Sequence, residues 1–293
     1  MDVTSLSLAT SLMVARLEGS QVEDHGDHLV VRTPQRPDFW WGNFLAVQRR
    51  PTTVEEVEHW LARFAQVHPD AAHRTVAIDE AGDVDPTPWA RSGLRLVRTS
   101  GLWADSSTLR PPPRPATDAV CRPLTSEADW AALAALQKAN RDDIPPEDYG
   151  PYVEESVHGI RALVAAGHGL WWGAFVEGEL ASTMGLFTDG RGVARYQSVD
   201  THPHFRRRGL AGTLAHAVGS WGLREPDDDL GGLGAERLVI VADTDDEAIS
   251  VYRSVGFVDT DPVAWFERGP HEPDPSVAGP PLPAKQARGM LAE

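Results

Sequence analysis

The sequence predicts an α/β (α+β) fold that occurs in two domains of a 293-residue chain. A chain of this length can bury two separate hydrophobic cores. In the second half, runs of β-forming residues alternate with segments whose apolar residues recur at helical spacing. A proline-rich run at residues 110–115 cannot continue a helix or a central strand, and it falls where a linker is expected. We therefore predict a first domain over residues 1–112, a second over 117–268 and a disordered Pro-rich tail over 269–293.

Two helices open the second domain. Ser126 and Asp129 form a capping pattern in front of the first, whose apolar residues follow at helical spacing. After a segment broken by prolines, residues 141–151, the second helix is predicted over 152–164.

Three antiparallel strands are predicted next. Residues 170–176 and 180–187 form a hairpin around the turn Glu177-Gly178, and the third strand starts at Val193. The complete predicted order is helix, helix, three strands, helix, strand, helix, strand.

The most informative stretch lies where the third strand ends near Val199 and a helix begins after Gly209. Three arginines precede that glycine: Arg206, Arg207 and Arg208. A helix N-terminus offers free backbone N–H groups and a positive dipole end, so it binds phosphate well. Gly209 and the small residues Ala211 and Gly212 let a ligand approach this backbone closely. Consecutive arginines alone are typical of a solvated surface, so the prediction of a diphosphate site depends on the glycine and the helix start.

Two motifs in the right order carry a family resemblance. Residues 206–211, Arg-x-x-Gly-x-Ala, are similar to the acetyl-coenzyme A loop of the GNAT acyltransferase superfamily. The segment 248–257 resembles the helix-to-strand segment in which that family carries its catalytic tyrosine, here Tyr252. The resemblance covers about residues 118–268 and implies a GNAT fold, with a mixed, centrally splayed β-sheet flanked by helices.

The same resemblance implies acetyl-CoA as the acyl-donor substrate and an amine of a small molecule or peptide as the acceptor. It places the pantetheine arm along the backbone of Val199 and Thr201, and an asparagine is usual in the family where this chain has Asp245. The implied coenzyme-binding residues are Val199, Thr201, Arg206, Arg207, Arg208, Gly209, Leu210, Ala211, Gly212, Thr213 and Asp245.

Tyr252 is the implied catalytic acid. A tyrosine with an ordinary pKa of about 10 is protonated at neutral pH and can donate to a thiolate whose conjugate acid has a pKa of about 8.5. The general base stays open among Asp200, His202 and His204, which lie beside the loop. No metal site is predicted, because no third ligand is spaced to join the two histidines.

Acidic residues fall in the segment between the first two helices, which borders the acceptor site in GNAT proteins: Asp142, Asp143, Glu147 and Asp148. They favour a cationic amine or a basic peptide as the acceptor, and a solvated acidic loop explains them equally well.

The first half is predicted to be a degenerate second copy of the fold without a coenzyme loop. A strand at 28–33, a helix at 53–67 and a strand at 74–78 follow the same logic. The segment 89–94, Trp-Ala-Arg-Ser-Gly-Leu, echoes the one around Tyr252. The aromatic run 39–41 either forms core, which we favour, or lines an acceptor cleft.

Composition narrows the remaining possibilities. The net charge of −16 argues against nucleic acid or an anionic membrane as a partner. The lone Cys121 excludes an internal disulfide, and we interpret it as incidental. The absence of a recognisable signal peptide or spanning segment predicts a cytoplasmic protein, whose oligomeric state stays open. A catalytically silent coenzyme A-binding module is the rival function, whereas a dinucleotide fold is disfavoured because Gly-x-Gly-x-x-Gly is lacking.

Overall fold

The computed structural model describes residues 1–37, 39–140, 146–226, 231–244, 248–260, 262–269 and 272, with the backbone alone for 146–149. It divides into two compact units. Unit 1 comprises Met1–Gly101 together with the described residues that follow Asp259, and unit 2 comprises Leu102–Asp259. The predicted boundaries at 112 and 117 therefore differ from the division in the structure, which falls within the strand Arg95–Ala104 and not in the prolines.

The described residues of unit 1 form three α-helices and a mixed sheet. The helices are α1 (Leu6–Leu17), α2 (Val54–Val67) and α3 (Thr87–Arg91). The strands are β1 (Gln21–Asp24), β2 (His28–Arg32), β3 (Phe44–Val47), β4 (Arg74–Ile78), the start of β5 (Arg95–Ala104) and a final strand, β12 (Val263–Arg268). Within this unit the strand order is β1-β2-β3-β4-β12-β5, and β3 and β4 are parallel. Buried Val57 and Phe64 place α2 on one face of the sheet.

Residues 263–268 fall in the predicted second domain, whereas the strand that they form, β12, pairs within unit 1. β12 pairs antiparallel with β4 through Phe266↔Val76 and with β5 through Phe266↔Leu96. Phe266 is fully buried, and its ring stacks on Trp89 with 4.3 Å between centroids. The last strand of the chain thus completes the first unit, because its apolar side chains fill that core.

Unit 2 has the predicted order of elements, preceded by one strand that the sequence did not predict. Its helices are α4 (Glu127–Ala139), α5 (Pro146–Ala165), α6 (Leu210–Gly222) and α7 (Ala248–Ser254). Its strands are β6 (Ala119–Pro123), β7 (Gly169–Val176), β8 (Glu179–Thr188), β9 (Val193–Thr201), β10 (Arg237–Asp243) and β11 (Val258–Asp259). The sheet order is β10-β9-β8-β7-β6, and β11 pairs with the end of β5 through Val258↔Trp103.

Local signals in unit 2 act as predicted. Ser126 and Asp129 form the reciprocal capping box that begins α4. Glu177 and Gly178 both have positive φ, the geometry of the tight turn that joins β7 to β8. Apolar side chains of α6, among them Leu214 and Val218, are fully buried against the sheet. These signals fix the elements that present the site described next.

Candidate active site

The two central strands of unit 2 separate part of the way along. Parallel pairing of β9 with β10 covers Val193↔Arg237 to Arg195↔Val239. Both strands are longer than this ladder, so their C-terminal ends diverge and the facing edges of β9 and β10 are not paired with each other there. This confirms the predicted central splay of the sheet.

An irregularity in β9 lies at the same place. On β8 only Met184 separates the paired residues Thr183 and Gly185, whereas two residues separate their partners on β9. One of these two, Ser198, has φ 43°, which non-glycine residues rarely adopt. The extra residue is a β-bulge, and bulges bend a strand and re-aim its side chains.

The start of α6, which follows β9 in the chain, has unsatisfied backbone donors. Gly209 is the N-cap residue, and no side chain caps the helix. The first backbone hydrogen bond of the helix runs from Thr213 N to Gly209 O at 3.0 Å. Within the described chain, the N–H groups of Gly209, Leu210, Ala211 and Gly212 donate to no acceptor. Four adjacent free amides at the positive end of a helix dipole form an anion site.

Two of the predicted coenzyme-binding residues, Arg206 and Thr213, already form hydrogen bonds within the protein through their side chains. Nε of Arg206 donates to Thr201 O at 3.2 Å, and Nη2 donates to Asn140 Oδ1 at 3.1 Å. The Thr213 hydroxyl donates to Gly209 O at 2.9 Å and accepts from Ala116 N at 2.8 Å.

The remaining predicted residues take different positions. Leu210 is buried in the core, and the side chain of Val199 packs against the edge of that core. Arg207 and Arg208 are exposed, and Arg207 has a positive φ of 63°. Asp245 lies outside the described residues. The backbone from Gly209 to Gly212, with the exposed arginines before it, thus carries the candidate anion site.

The fold of unit 2 also requires glycine at position 209, because of its backbone conformation and a close backbone contact. Its φ is 77°, and a Cβ atom there would lie 2.4 Å from the carbonyl oxygen of Arg114. We expect Gly209→Ala to lower the free energy of unfolding of unit 2 by about 2–4 kcal/mol, through strain in φ and displacement of this backbone. Gly190 has φ 80° and open space around it, so Gly190→Ala should cost only about 1–2 kcal/mol. Urea denaturation measures both, and equal losses would contradict the close approach of Arg114.

Two tyrosines lie where the paired part of β9 and β10 ends. Tyr196 is the first residue of β9 beyond the ladder, Ile240 is its counterpart on β10, and both share a buried cluster with Tyr252 of α7. The Tyr196 hydroxyl donates to Ala215 O at 2.7 Å. Burial, with a smaller contribution from Tyr252, raises the pKa of Tyr196 above its usual range. Tyr196 is therefore a fixed donor to Ala215 O, and Tyr252 stays the candidate acid that the family resemblance implies.

Asn140, at the C-terminal end of α4, was not singled out from the sequence. Its Nδ2 donates to Asp200 Oδ1 at 2.8 Å, while its Oδ1 accepts from Arg206. The amide thereby connects the end of β9 with the arginine loop. Nothing in the local sequence marks it, because its partners are 60 and 66 residues away.

The candidate bases have been brought together beside the loop. Asp200 accepts from Asn140, and His202 Nδ1 lies 3.3 Å from the donor His204 N. The two imidazole rings are 5.1 Å apart. These contacts do not select one base.

Other sequence candidates contribute less. Asp142 and Asp143 lie outside the described residues, and the side chains of Glu147 and Asp148 are not described. Burial raises the pKa of the Cys121 thiol, which disfavours the reactive thiolate. Among the described residues, no group of three His, Cys, Asp or Glu is arranged to hold a metal. No helix in that part of the chain is long and apolar enough to cross a membrane.

Unit 1 repeats part of this arrangement. After α3 the chain turns at Gly93, and Leu94 N donates to Trp89 O at 2.9 Å. After α7, Phe257 N donates to Tyr252 O at 3.2 Å around the corresponding Gly256. The echo seen in the sequence is thus a shared helix-ending turn, with a buried Trp89 at the position of the tyrosine.

In unit 1, the corresponding strand pair, β3 and β4, and the corresponding helix start, that of α2, differ from those of unit 2. Strands β3 and β4 stay paired to their ends, where Asp79 N donates to Val47 O at 2.9 Å. At the start of α2, the Glu56 carboxylate accepts from Thr52 N at 2.7 Å and from Thr53 N at 3.2 Å. The carboxylate thus satisfies the amide of the N-cap residue Thr53 and places a negative charge at the helix start, where it would repel an external anion.

Comparison with known proteins agrees with this geometry. Residues 133–257 match the model of the acetyltransferase (GNAT) family. This segment is a GNAT domain. No curated protein matches the chain in sequence.

Solved structures extend the likeness over most of the chain. A functionally unknown conserved protein from Staphylococcus epidermidis is 11% identical with a TM-score of 0.68, covering 85% of this chain and 94% of its own. A GCN5-related N-acetyltransferase from Kribbella flavida is 17% identical with a TM-score of 0.58, covering 90% and 96%. A tandem GNAT protein from the clavulanic acid biosynthesis pathway is 15% identical with a TM-score of 0.51, covering 87% and 85%. At these identities the likeness shows the fold: GNAT-like architecture across both units.

Proposed function

We propose that unit 2 transfers an acetyl or other short acyl group from acetyl-CoA to an amine. The observation that carries this proposal is the set of free amides from Gly209 to Gly212 beside the splayed ends of β9 and β10. The amides suit the coenzyme diphosphate, and the splay suits an extended pantetheine arm that hydrogen-bonds to backbone near Val199 and Thr201. Unit 1 takes no coenzyme, because β3 and β4 stay paired to their ends and the Glu56 carboxylate places a negative charge at the start of α2.

The reaction forms a C–N bond and breaks the C–S bond of the thioester. The attacking amine loses a proton to a base, for which Asp200, His202 and His204 are the candidates. Tyr252 supplies a proton to the departing thiolate. Exclusion of water at the buried base of the splay, where Tyr252 is only 4% exposed, disfavours hydrolysis of the thioester.

Coenzyme A release with a panel of primary amines tests the proposal. The panel should include polyamines, aralkylamines, amino sugars and peptides with free N-termini. Release that depends on one class of amine supports acyl transfer. Tight coenzyme binding without release for any amine would instead favour a silent binding module.

A substitution at Ala211 separates binding from folding. Ala211 is the second residue of α6, where an acidic side chain favours the helix dipole but repels a bound diphosphate. We expect Ala211→Asp to weaken coenzyme A binding by about 10-fold or more while the melting temperature stays equal or rises. Ala211→Asn has the same size without the charge and should retain most of the affinity. Calorimetry and thermal melting give both values, and equal affinity of the two variants would place the phosphates elsewhere.

A further inference from the structure

Residues 112–116, which precede β6, pack on the start of α6. Ala116 N donates to the Thr213 hydroxyl, and the carbonyl of Arg114 lies against Gly209. A Cβ atom on Gly212 would lie 3.3 Å from Pro112. These contacts hold residues 112–116 along the first turn of α6. They thereby keep the residues that follow, including Asp118, close to the same turn.

Asp118 follows directly and lies beside the arginine loop. Its Oδ2 accepts from Arg208 Nη2 at 2.5 Å. The Arg208 guanidinium also lies over the ring of Phe205, 5.3 Å from its centroid. The carboxylate therefore lies next to the arginine that immediately precedes the free amides.

Arg206 and Arg208 differ in the charge of their hydrogen-bond partners. Arg206 bonds to the neutral oxygens of Thr201 and Asn140, so its positive charge is not neutralised there. Arg208 instead bonds to a carboxylate, the group that most resembles a phosphate in charge and geometry. Both members are partly solvated, with 41% of the Arg208 side chain and 56% of the Asp118 side chain exposed, so the pair can open.

We propose that Asp118 sets the affinity of unit 2 for coenzyme A by competing with the coenzyme phosphate for Arg208. This inference rests on the proposed function. Binding of the coenzyme breaks the Arg208–Asp118 ion pair and leaves the carboxylate beside bound phosphate. Removing its charge should therefore strengthen binding.

The test compares the affinity of the full chain for coenzyme A in four proteins: wild type, Asp118→Asn, Arg208→Gln and the double variant. Exposed ion pairs contribute little, so we expect Asp118→Asn to lower Kd by about 2- to 5-fold at low salt. In the Arg208→Gln background the same change should give a clearly smaller gain. That coupling is the readout that a merely structural role of Asp118 would not produce.

Asp259→Asn is the matched control. Asp259 forms an exposed ion pair with Arg253 at 2.9 Å in the same unit, and its loss should leave Kd unchanged. A Kd for Asp118→Asn that equals or exceeds that of wild type, or an undiminished gain without Arg208, would overturn the inference. If wild type does not bind coenzyme A, the proposed function fails. If Asp118→Asn then binds coenzyme A although wild type does not, competition by Asp118 is still supported. If neither wild type nor Asp118→Asn binds coenzyme A, the inference about Asp118 is overturned as well.

Discussion

Replacing Tyr252 with phenylalanine is expected to lower kcat by about 10- to 10⁴-fold while Kd for acetyl-CoA changes little. The ring shares its buried cluster with Tyr196 and Ile240 at the base of the splay, and phenylalanine keeps that packing. Only the hydroxyl proton is lost, so the thiolate has to leave without its acid. Single-turnover acyl transfer to an amine found in the panel measures the effect directly.

Tyr196→Phe is the control for this substitution. It also removes one hydroxyl from the same cluster, but that hydroxyl is committed to Ala215 O. We expect a loss of about 1 kcal/mol in stability with kcat close to that of wild type. A wild-type rate for Tyr252→Phe would make Tyr252 structural and assign the proton to another group.

Removing residues 260–293 is expected to abolish the folding of unit 1. The deletion takes away β12, which lies between β4 and β5 and carries the buried Trp265 and Phe266. Truncating one buried aromatic residue typically costs about 3–5 kcal/mol, and a whole domain is stable by only about 5–15 kcal/mol. Hydrogen exchange of the β4 and β5 amides measures the loss.

A chain that ends at residue 272 provides the control, because it retains β12 and the Glu272 carboxylate that bonds Arg95. It should keep the exchange protection of β4 and β5. Protection that survives the longer deletion would show that unit 1 does not need the last strand.

Much of unit 2 could be predicted because its signals are local. The cap at Ser126, the Glu177-Gly178 turn and the glycine before α6 each specify a conformation within a few residues. The splay of β9 from β10 followed from the family resemblance, and the strand register confirms it. The individual side-chain roles at the site stay predictions.

The unpredicted features depend on partners distant in sequence. A short apolar strand such as β12 does not specify which sheet it joins, and its partners in β4 and β5 lie more than 160 residues away. Helix α1 is not predicted from the sequence, and its start depends on the distant Asp79, which accepts from Thr4 N and Ser5 N. The contact of Asp118 with Arg208 likewise joins residues 90 positions apart.

Calorimetric titration of acetyl-CoA into the full chain tests the central claim most directly. The account predicts one molecule bound per chain, because unit 2 offers free amides at Gly209–Gly212 and unit 1 has Glu56 in the corresponding place. The binding should be lost or strongly weakened in Ala211→Asp. Three results would contradict the central claim. They are no binding of acetyl-CoA, two molecules bound per chain, or an affinity that Ala211→Asp leaves unchanged.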